Sequence, residues 1–255
     1  MLKQFSFAIL MAGLAGVAVA QEWGDLDGTF LYKGTPPTPK KIRPEKDPEY
    51  CGKHDIVEET IIVNKENNGL ANVVVYLMDA TKPKIHPDYD KPEKAKAKVE
   101  VDNENCRFAP HVQGLRVGQT LVVGNKDPIA HNTKGEFFSP KNSPFNDLIP
   151  AKGSIEKTFN QAETTPSTLS CSIHPWMNAY LLIREDPYFA ISDKDGKIAI
   201  KNLPVGEHTF VVWSNKFITN VTVNGKAPMP PWARGRVKIN IKPGQNSLGK
   251  VEVTP

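Results

Sequence analysis

Several features that would identify a protein class are scarce or absent in this sequence. It has three cysteines in 255 residues, so at most one disulfide can form within the chain. No apolar run after residue 20 approaches the roughly 20 residues that a membrane-spanning helix needs, which predicts no transmembrane anchor. The formal net charge is only +4, which is too mild to indicate nucleic acid as a partner.

Signatures of the common enzyme classes are absent as well. The sequence contains no nucleophilic triad, no glycine-rich phosphate loop and no pair of carboxylates spaced for acid–base chemistry. It therefore predicts a protein that is not an enzyme. Helical periodicity is equally weak, because no amphipathic pattern extends over three turns or more.

The first twenty residues, MLKQFSFAILMAGLAGVAVA, have the pattern of a secretory signal peptide. Lys3 supplies the positive charge, an uncharged apolar run follows, and Ala18-Val19-Ala20 matches the small-x-small pattern that a signal peptidase recognises. We expect cleavage after Ala20. The 235 remaining residues would then form a soluble protein that is periplasmic or secreted.

Short stretches rich in Val, Ile, Thr and aromatic residues recur along the rest of the chain, bounded by Gly, Pro, Asn or Asp. Such stretches are typical of β-strands joined by turns, and 22 prolines with 18 glycines suit many turns. We predict an all-β protein with irregular loops at 33–50, 82–97, 134–150 and 224–235. The predicted strands are 60–64, 71–78, 98–101, 121–125, 179–185, 197–200, 208–213, 218–223, 236–241 and 249–253.

The sequence CSIHPWM contains a thiol, an imidazole and a thioether at intervals of three residues, from Cys171, His174 and Met177. A second imidazole, His131, follows a predicted strand and turn 40 residues before the cysteine. One thiolate, two imidazoles and a weak axial thioether are the ligands of a blue-copper electron-transfer centre. The thiolate and thioether suit Cu(I) and the imidazoles suit Cu(II), so such a site need not rearrange much. The pattern predicts one mononuclear copper ion.

Two other interpretations of this cluster stay open. Zinc also uses Cys-x-x-His, although Met177 is a poor zinc ligand and no Cys-x-x-Cys accompanies the motif. Cys171 could instead be a buried structural cysteine, which would need no histidine at +3. Copper enzymes fit less well, because the chain has neither the His-x-His pairs of a multicopper oxidase nor the two loop cysteines of a binuclear centre.

The dipeptide HN at 131–132, followed forty residues later by CxxHPxM, resembles the cupredoxins, in particular amicyanin and plastocyanin-like members. The resemblance continues upstream through CRFAPHVQGLRVGQTLVVGNKDPIAHN at 106–132, with Phe-x-Pro, Val-Gly-x-x-Leu and Asn-x-x-x-x-x-His. It covers roughly residues 96–187. It implies a Greek-key β-sandwich that carries electrons, with four copper ligands: His131, Cys171, His174 and Met177.

The same resemblance implies roles for residues around the ligands. Asn132 would tie the two ligand loops together, and Pro175 would pack behind His174. Trp176 would form part of an apolar rim through which electrons leave, because this ligand loop is near the surface in cupredoxins. His111 is a candidate extra site residue, with a purely structural histidine as the alternative.

The sequence after the copper motif resembles a second family. YFAISDKDGKIAIKNLPVGEHTFVVW at 188–213 is similar to carboxypeptidase regulatory-like, or transthyretin-like, β-sandwiches, which combine an Asp-x-Asp-Gly hairpin with a Leu-Pro-x-Gly turn. The opening strand of that family has its counterpart at 69–77, over a hundred residues earlier. We predict a discontinuous sandwich of residues 24–85 and 186–255, with a cupredoxin domain of residues 96–185 inserted in it or packed beside it. Three successive small units are the alternative.

Cysteine pairing depends on the copper assignment. In an oxidising compartment, three cysteines are expected to give one pair and one thiol with a separate role. If copper holds Cys171, the pair is Cys51 with Cys106, and this disulfide would join the two predicted domains. Two unpaired cysteines are the alternative, because the sequence contains no distance between them.

These patterns predict an exported electron carrier that exchanges electrons with redox proteins the sequence does not identify. A surface or carbohydrate-binding module is the alternative, with Trp213, Trp232 and the loop at 228–236 as its only suggestive features. Copper storage or delivery is a third candidate function.

Overall fold

The computed structural model describes residues 22–254, so the predicted signal peptide at 1–20 lies outside the described residues. Within this range the chain forms eighteen strands and three four-residue helices, and the all-β prediction is confirmed. No helix among these residues is long and apolar enough to cross a membrane. The helices are α1 Pro48–Cys51, α2 Pro87–Asp90 and α3 Pro92–Ala95. The strands are β1 Trp23–Tyr32, β2 Val74–Leu77, β3 Lys98–Glu104, β4 Arg107–Ala109, β5 Val112–Arg116, β6 Thr120–Asn125, β7 His131–Glu136, β8 Phe145–Ile149, β9 Ser154–Thr158, β10 Ser167–Ser170, β11 Asn178–Arg184, β12 Phe189–Ile191, β13 Lys197–Pro204, β14 Gly206–Ser214, β15 Lys216–Phe217, β16 Val221–Val223, β17 Arg236–Ile241 and β18 Gly244–Val253.

The strands form four sheets. Sheet I has the order β13-β1-β18-β16, and sheet II has the order β12-β2-β14-β15 with β17 also paired to β14. Sheet III has the order β5-β11-β10-β7-β8, and sheet IV has the order β4-β3-β6-β9. Sheets I and II are built from residues 23–77 and 189–253, whereas sheets III and IV are built from residues 98–184.

Sheets I and II bury the first hydrophobic cluster between them. Burial alternates along β1, so that Leu26 and Phe30 point inward while their neighbours are half-exposed. Val75 and Phe210 from sheet II contribute to the same cluster. This period-two pattern is what a sheet with one buried face requires.

Sheets III and IV bury a second cluster, which contains Leu121 from β6 and Leu181 from β11. The loop at 40–58 also packs here, with Cys51 and Ile56 fully enclosed. The predicted boundaries assign this loop to the discontinuous sandwich, but its apolar side chains are buried with sheets III and IV.

A third cluster joins sheet II to sheet III. It contains Val74 and Tyr76 from β2, Leu182 from β11 and Trp213 from β14. The rings of Tyr180 and Trp213 meet edge to face with 4.8 Å between their centroids. Strand β2 is buried at all four positions because both of its faces are covered, and this explains its continuous apolar sequence.

Sequence expectations about secondary structure are wrong at several places. Nine of the eighteen strands, β1 among them, lie outside the predicted stretches, and the loop expected at 82–97 contains α2 and α3. Residues 60–64 are not a strand and form only an isolated bridge, between Val63 and Leu70. Their apolar side chains pack at the margin of the first cluster, but their backbone does not pair with a strand. Residues with high β-propensity are favoured at half-buried positions generally, so the sequence pattern did not distinguish this segment from a strand. The loop expected at 134–150 instead contains the end of β7 and all of β8. The sequence FNDLI, with Asn146 and Asp147 near its start, forms β8 because β7 supplies five paired residues beside it.

Candidate metal centre

Neighbouring strands bring the two sequence motifs together. Strand β10 lies between β7 and β11 in sheet III, and the loop at 171–177 joins β10 to β11. His131 is the first residue of β7, at the same end of the sheet as this loop. The loop is closed by hydrogen bonds from the Cys171 N–H to the Met177 carbonyl at 3.1 Å and from the Met177 N–H to the His174 carbonyl at 2.9 Å.

Three side chains converge at this point. One ligand atom from each of His131, Cys171 and His174 lies within 4.8 Å of the others. The Cys171 sulfur is 3.7 Å from Nδ1 of His174, and the two imidazole centroids are 4.5 Å apart. Both histidines are 0% exposed and Cys171 is 2% exposed, so the cluster is closed to bulk water.

His131 is oriented by a carboxylate four residues earlier. Its Nε2 lies 2.9 Å from Oδ2 of Asp127, which is also buried. An ionised carboxylate can only accept a hydrogen bond, so Nε2 carries the proton. Nδ1 of His131 is buried and has no hydrogen-bond partner among the residues the structure describes. An unpartnered buried nitrogen is costly in a protein interior, and here it belongs to a predicted metal ligand.

Asp127 is the centre of a hydrogen-bond network. Besides His131, it accepts the Tyr50 hydroxyl at 2.8 Å and the backbone N–H groups of Asn105 at 2.7 Å and Cys106 at 2.9 Å. Burial by itself would raise the pKa of Asp127, but these hydrogen bonds stabilise the anion more and lower it to about 2. Burial and the neighbouring carboxylate raise the pKa of Tyr50 to about 12. The carboxylate is therefore ionised at neutral pH and holds His131 firmly.

The charges of the cluster favour a metal cation. Burial alone would raise the pKa of the Cys171 thiol, but the adjacent imidazoles of His131 and His174 and nearby backbone N–H groups lower it to about 6. Burial would lower the pKa of His131, yet the Asp127 carboxylate and the neighbouring Cys171 sulfur raise it above its ordinary value. A thiol that ionises this readily beside two buried imidazoles could bind a cation, and ligands of this kind bind metals in their deprotonated forms.

Asn132 connects the two halves of the site. Its Oδ1 accepts the backbone N–H groups of Ser172 at 2.8 Å and Ile173 at 3.1 Å, and lies 3.3 Å from the Cys171 sulfur. Its Nδ2 donates to the side chain of Asn146 on β8. One buried amide therefore ties the start of the ligand loop to β7 and β8.

His174 has a carboxylate partner that the sequence did not indicate. Its Nε2 lies 2.8 Å from Oδ2 of Asp47, which belongs to the loop at 40–58. The two residues are 127 positions apart, so no local pattern links them. Asp127, by contrast, precedes His131 by four residues, and an acidic residue so near a ligand histidine is a signal that could have been recognised.

The other predicted residues of the loop differ from one another in burial. Met177 is buried in the second cluster together with Cys171, whereas Pro175 is exposed. Trp176 is half-buried, its ring centroid is 5.3 Å from that of His174, and its Nε1 donates to the Cys106 carbonyl. The ring of His174 is 0% exposed because Asp47 covers its outer edge, although Ser172 and Pro175 of the same loop are exposed.

His111 is not part of the His–Cys–His cluster. It is buried with its ring against Tyr180, and its Nδ1 is 3.6 Å from the Glu59 carboxylate. The tryptophans considered for carbohydrate binding are also buried, Trp213 in the third cluster and Trp232 in the first. Neither ring is available to stack on a sugar at the surface.

A disulfide joins Cys51 to Cys106, and Cys171 is the free cysteine of the described chain. A second group with metal-ligand spacing contains Cys106, Asp127 and His131. Cys106 has no thiolate to offer because its sulfur is bonded to Cys51. Of these two groups among residues 22–254, the His131–Cys171–His174 group is therefore the one in which every residue has a free donor atom.

The chain is similar, over less than half of its length, to several solved structures. No family model matches the chain, and no curated protein does. A copper-containing nitrite reductase from Thermus scotoductus is 22% identical at a TM-score of 0.31, over 34% of this chain and 22% of the reductase, so less than a quarter of that protein is covered. A reduced Cu(I) proline-to-glycine mutant of amicyanin is 16% identical at a TM-score of 0.31, over 43% of this chain and 98% of its own. An oxidised proline-to-alanine mutant of amicyanin is 14% identical at 0.31, with the same coverage.

Proposed function

We propose that this chain binds one mononuclear copper ion and serves as an electron carrier. The ligands would be His131, Cys171 and His174, with Met177 as a weak axial ligand. The observation that carries the proposal is the buried Nδ1 of His131, which has no partner in the described part of the chain and lies beside a thiol whose pKa is lowered to about 6. A cation between these atoms would satisfy the nitrogen and neutralise the thiolate.

The donor set favours copper over zinc. A closed structural zinc site has four nitrogen, sulfur or oxygen ligands, whereas the described group supplies three such ligands. Two imidazoles and one thiolate, with the Met177 thioether in the same loop, match the trigonal ligand set of electron-transfer copper. Copper held there would supply a one-electron Cu(I)/Cu(II) couple.

The chain's own contribution is to hold the ligands in place. Asp127 and Asp47 each hold the outer nitrogen of one ligand histidine, so that both Nδ1 atoms are directed inward. Asn132 fixes the start of the ligand loop, and the hydrophobic cluster around Met177 excludes water. Ligands held this rigidly move little between oxidation states, which favours electron transfer over substrate chemistry.

The wider organisation supports the same proposal. We infer that sheets III and IV are the copper-binding domain, inserted between the two parts of a second sandwich, because the hydrophobic clusters divide along these sheets. Export guided by residues 1–20 would place the disulfide and the copper site in an oxidising compartment. Redox proteins are then the partners expected for the carrier.

The test is to add Cu(II) to the purified, metal-free protein and to record the visible spectrum. We expect an intense thiolate-to-Cu(II) charge-transfer band, because Cys171 would be an equatorial ligand. The band should be absent in Cys171→Ala and retained in His111→Phe, which lies outside the cluster. A wild-type protein that binds Cu(II) stoichiometrically and stays colourless would contradict the proposal. Release of the bound copper as Cu(I) on reduction would instead support storage or delivery.

A further inference from the structure

The carboxylate of Asp47 contacts a ligand histidine from a part of the chain that is remote in sequence. Oδ2 of Asp47 is 2.8 Å from Nε2 of His174, and the histidine is fully buried beneath it. Asp47 belongs to the covering loop, residues 40–58, which is closed by hydrogen bonds from the Ile42 N–H to the Ile56 carbonyl and from the Glu58 N–H to the Lys40 carbonyl, both at 2.9 Å.

The backbone of Asp47 adopts an unfavourable conformation for this contact. It is left-handed, with φ 48° and ψ 46°, a region that non-glycine residues rarely occupy. Asp47 is also the N-cap residue of α1, and its carbonyl accepts the N–H groups of Tyr50 and Cys51. Aspartate at this position commonly caps the helix with its side chain, but this side chain makes no such bond. The carboxylate is directed to His174 instead.

The covering loop is anchored beside the ligand loop. Cys51, at the end of α1, is bonded to Cys106, whose carbonyl accepts the indole N–H of Trp176. Tyr50, next to Cys51, donates to Asp127. These contacts hold α1 against both ligand segments, so the position of Asp47 does not depend on its own ion pair alone.

We propose that Asp47 is a positioning residue of the metal centre, which holds the Nε2–H of His174 so that Nδ1 faces Cys171. The inference rests on the copper site proposed above. An ionised carboxylate only accepts, so it selects the tautomer in which Nδ1 is free to bind a metal. Its negative charge makes the imidazole a stronger donor, which favours Cu(II) over Cu(I). It also closes the edge of His174 that would otherwise face solvent.

The first test compares Asp47→Asn with Asp47→Glu and with a control, Asp55→Asn. Asp55 is exposed in the same loop and pairs only with Lys41 among the described residues, at 2.9 Å. Asp47→Asn should raise the reduction potential and weaken Cu(II) binding roughly 10- to 100-fold. Asp47→Glu should bring both the reduction potential and the Cu(II) affinity part of the way back to the wild-type values. Asp55→Asn should leave both at wild-type values. Wild-type potential and affinity in Asp47→Asn would overturn the proposal.

A second measurement needs no metal and separates this inference from the proposed function. Long-range ¹H–¹⁵N NMR of the metal-free protein reports which nitrogen of His174 carries the proton. We expect the Nε2–H form in the wild type and in Asp55→Asn, and loss of that preference in Asp47→Ala, which has no acceptor for this proton. The same ring state in Asp47→Ala as in the wild type would overturn the role of Asp47. A wild type that shows the preference but binds no copper would contradict only the proposed function.

Discussion

The indole Nε1 of Trp176 donates a hydrogen bond to the backbone carbonyl of Cys106, with 3.0 Å between nitrogen and oxygen. Trp176 lies in the ligand loop, and Cys106 is bonded to Cys51 at the end of α1. The disulfide therefore anchors the covering loop next to the ligand loop. Trp176, which the sequence predicts to be part of an electron-exit rim, therefore also links the ligand loop to the disulfide.

Removal of the disulfide should destabilise the protein. Cys51→Ala combined with Cys106→Ala opens a link between residues 55 positions apart, and the chain-entropy model gives a loss of about 4 kcal/mol in the free energy of unfolding. The measurement is denaturant unfolding of the metal-free protein, and reduced wild type should match the double variant. Equal midpoints for the oxidised wild type and the double variant would contradict this prediction.

Met177→Leu should keep the protein coloured and raise its reduction potential. The exchange conserves side-chain volume in a buried position, so the fold should tolerate it. With Met177 as the axial ligand proposed above, the exchange would remove a weak donor, and loss of such a donor favours Cu(I). Visible spectroscopy and a redox titration measure the two effects. A potential equal to that of the wild type would show that another group is axial.

Asp127→Asn should reduce stability far more than Asp47→Asn does. Asp127 is 1% exposed and accepts four hydrogen bonds, so an amide there leaves buried donors unpaired. We expect a loss of about 3 kcal/mol in the metal-free protein. The side chain of Asp47 is 44% exposed, and breaking its pair should cost about 1 kcal/mol or less. Urea unfolding of both variants tests the contrast, and similar losses would contradict it.

His111 should make stability sensitive to mild acid. Burial lowers the pKa of His111 below its ordinary 6.5, so the unfolded chain binds a proton that the folded protein does not. The contribution to stability is complete above about pH 6.5 and is lost as the pH falls from there toward the folded pKa. Burial raises the pKa of Glu59, which faces His111, and this contributes with the opposite sign.

The matched variant is His111→Phe, which keeps a ring against Tyr180 and retains both Glu59 and its neighbour Arg107. The contribution of Glu59 is then common to the two proteins. Between pH 7 and pH 5 the variant should lose less unfolding free energy than the wild type. The difference should be roughly 1 kcal/mol for each unit by which folding lowers the pKa of His111. Parallel pH profiles would show that His111 does not titrate differently on folding.

Local sequence predicted nine of the eighteen strands and the spacing of the ligand motif. Stretches such as 98–101 and 236–241 are rich in β-branched residues and form strands where expected. The spacing of Cys171, His174 and Met177 lies within a single loop, so the chain itself limits how far apart these side chains can be. Asp127 is only four positions from His131, so this contact could also have been predicted from the local sequence.

Tertiary structure decided which distant segments of the chain contact each other. Residues 145–149 form β8 because β7 pairs with them, whereas the apolar residues at 60–64 remain outside the sheets. Asp47 reaches His174 across 127 positions only because the covering loop packs its apolar side chains against sheets III and IV and is bonded to Cys106. Packing and pairing between remote segments depend on the whole fold, whereas propensity and motif spacing act over a few residues. For that reason the clustering of His131, Cys171 and His174 could be predicted from the sequence, but the burial of His174 could not.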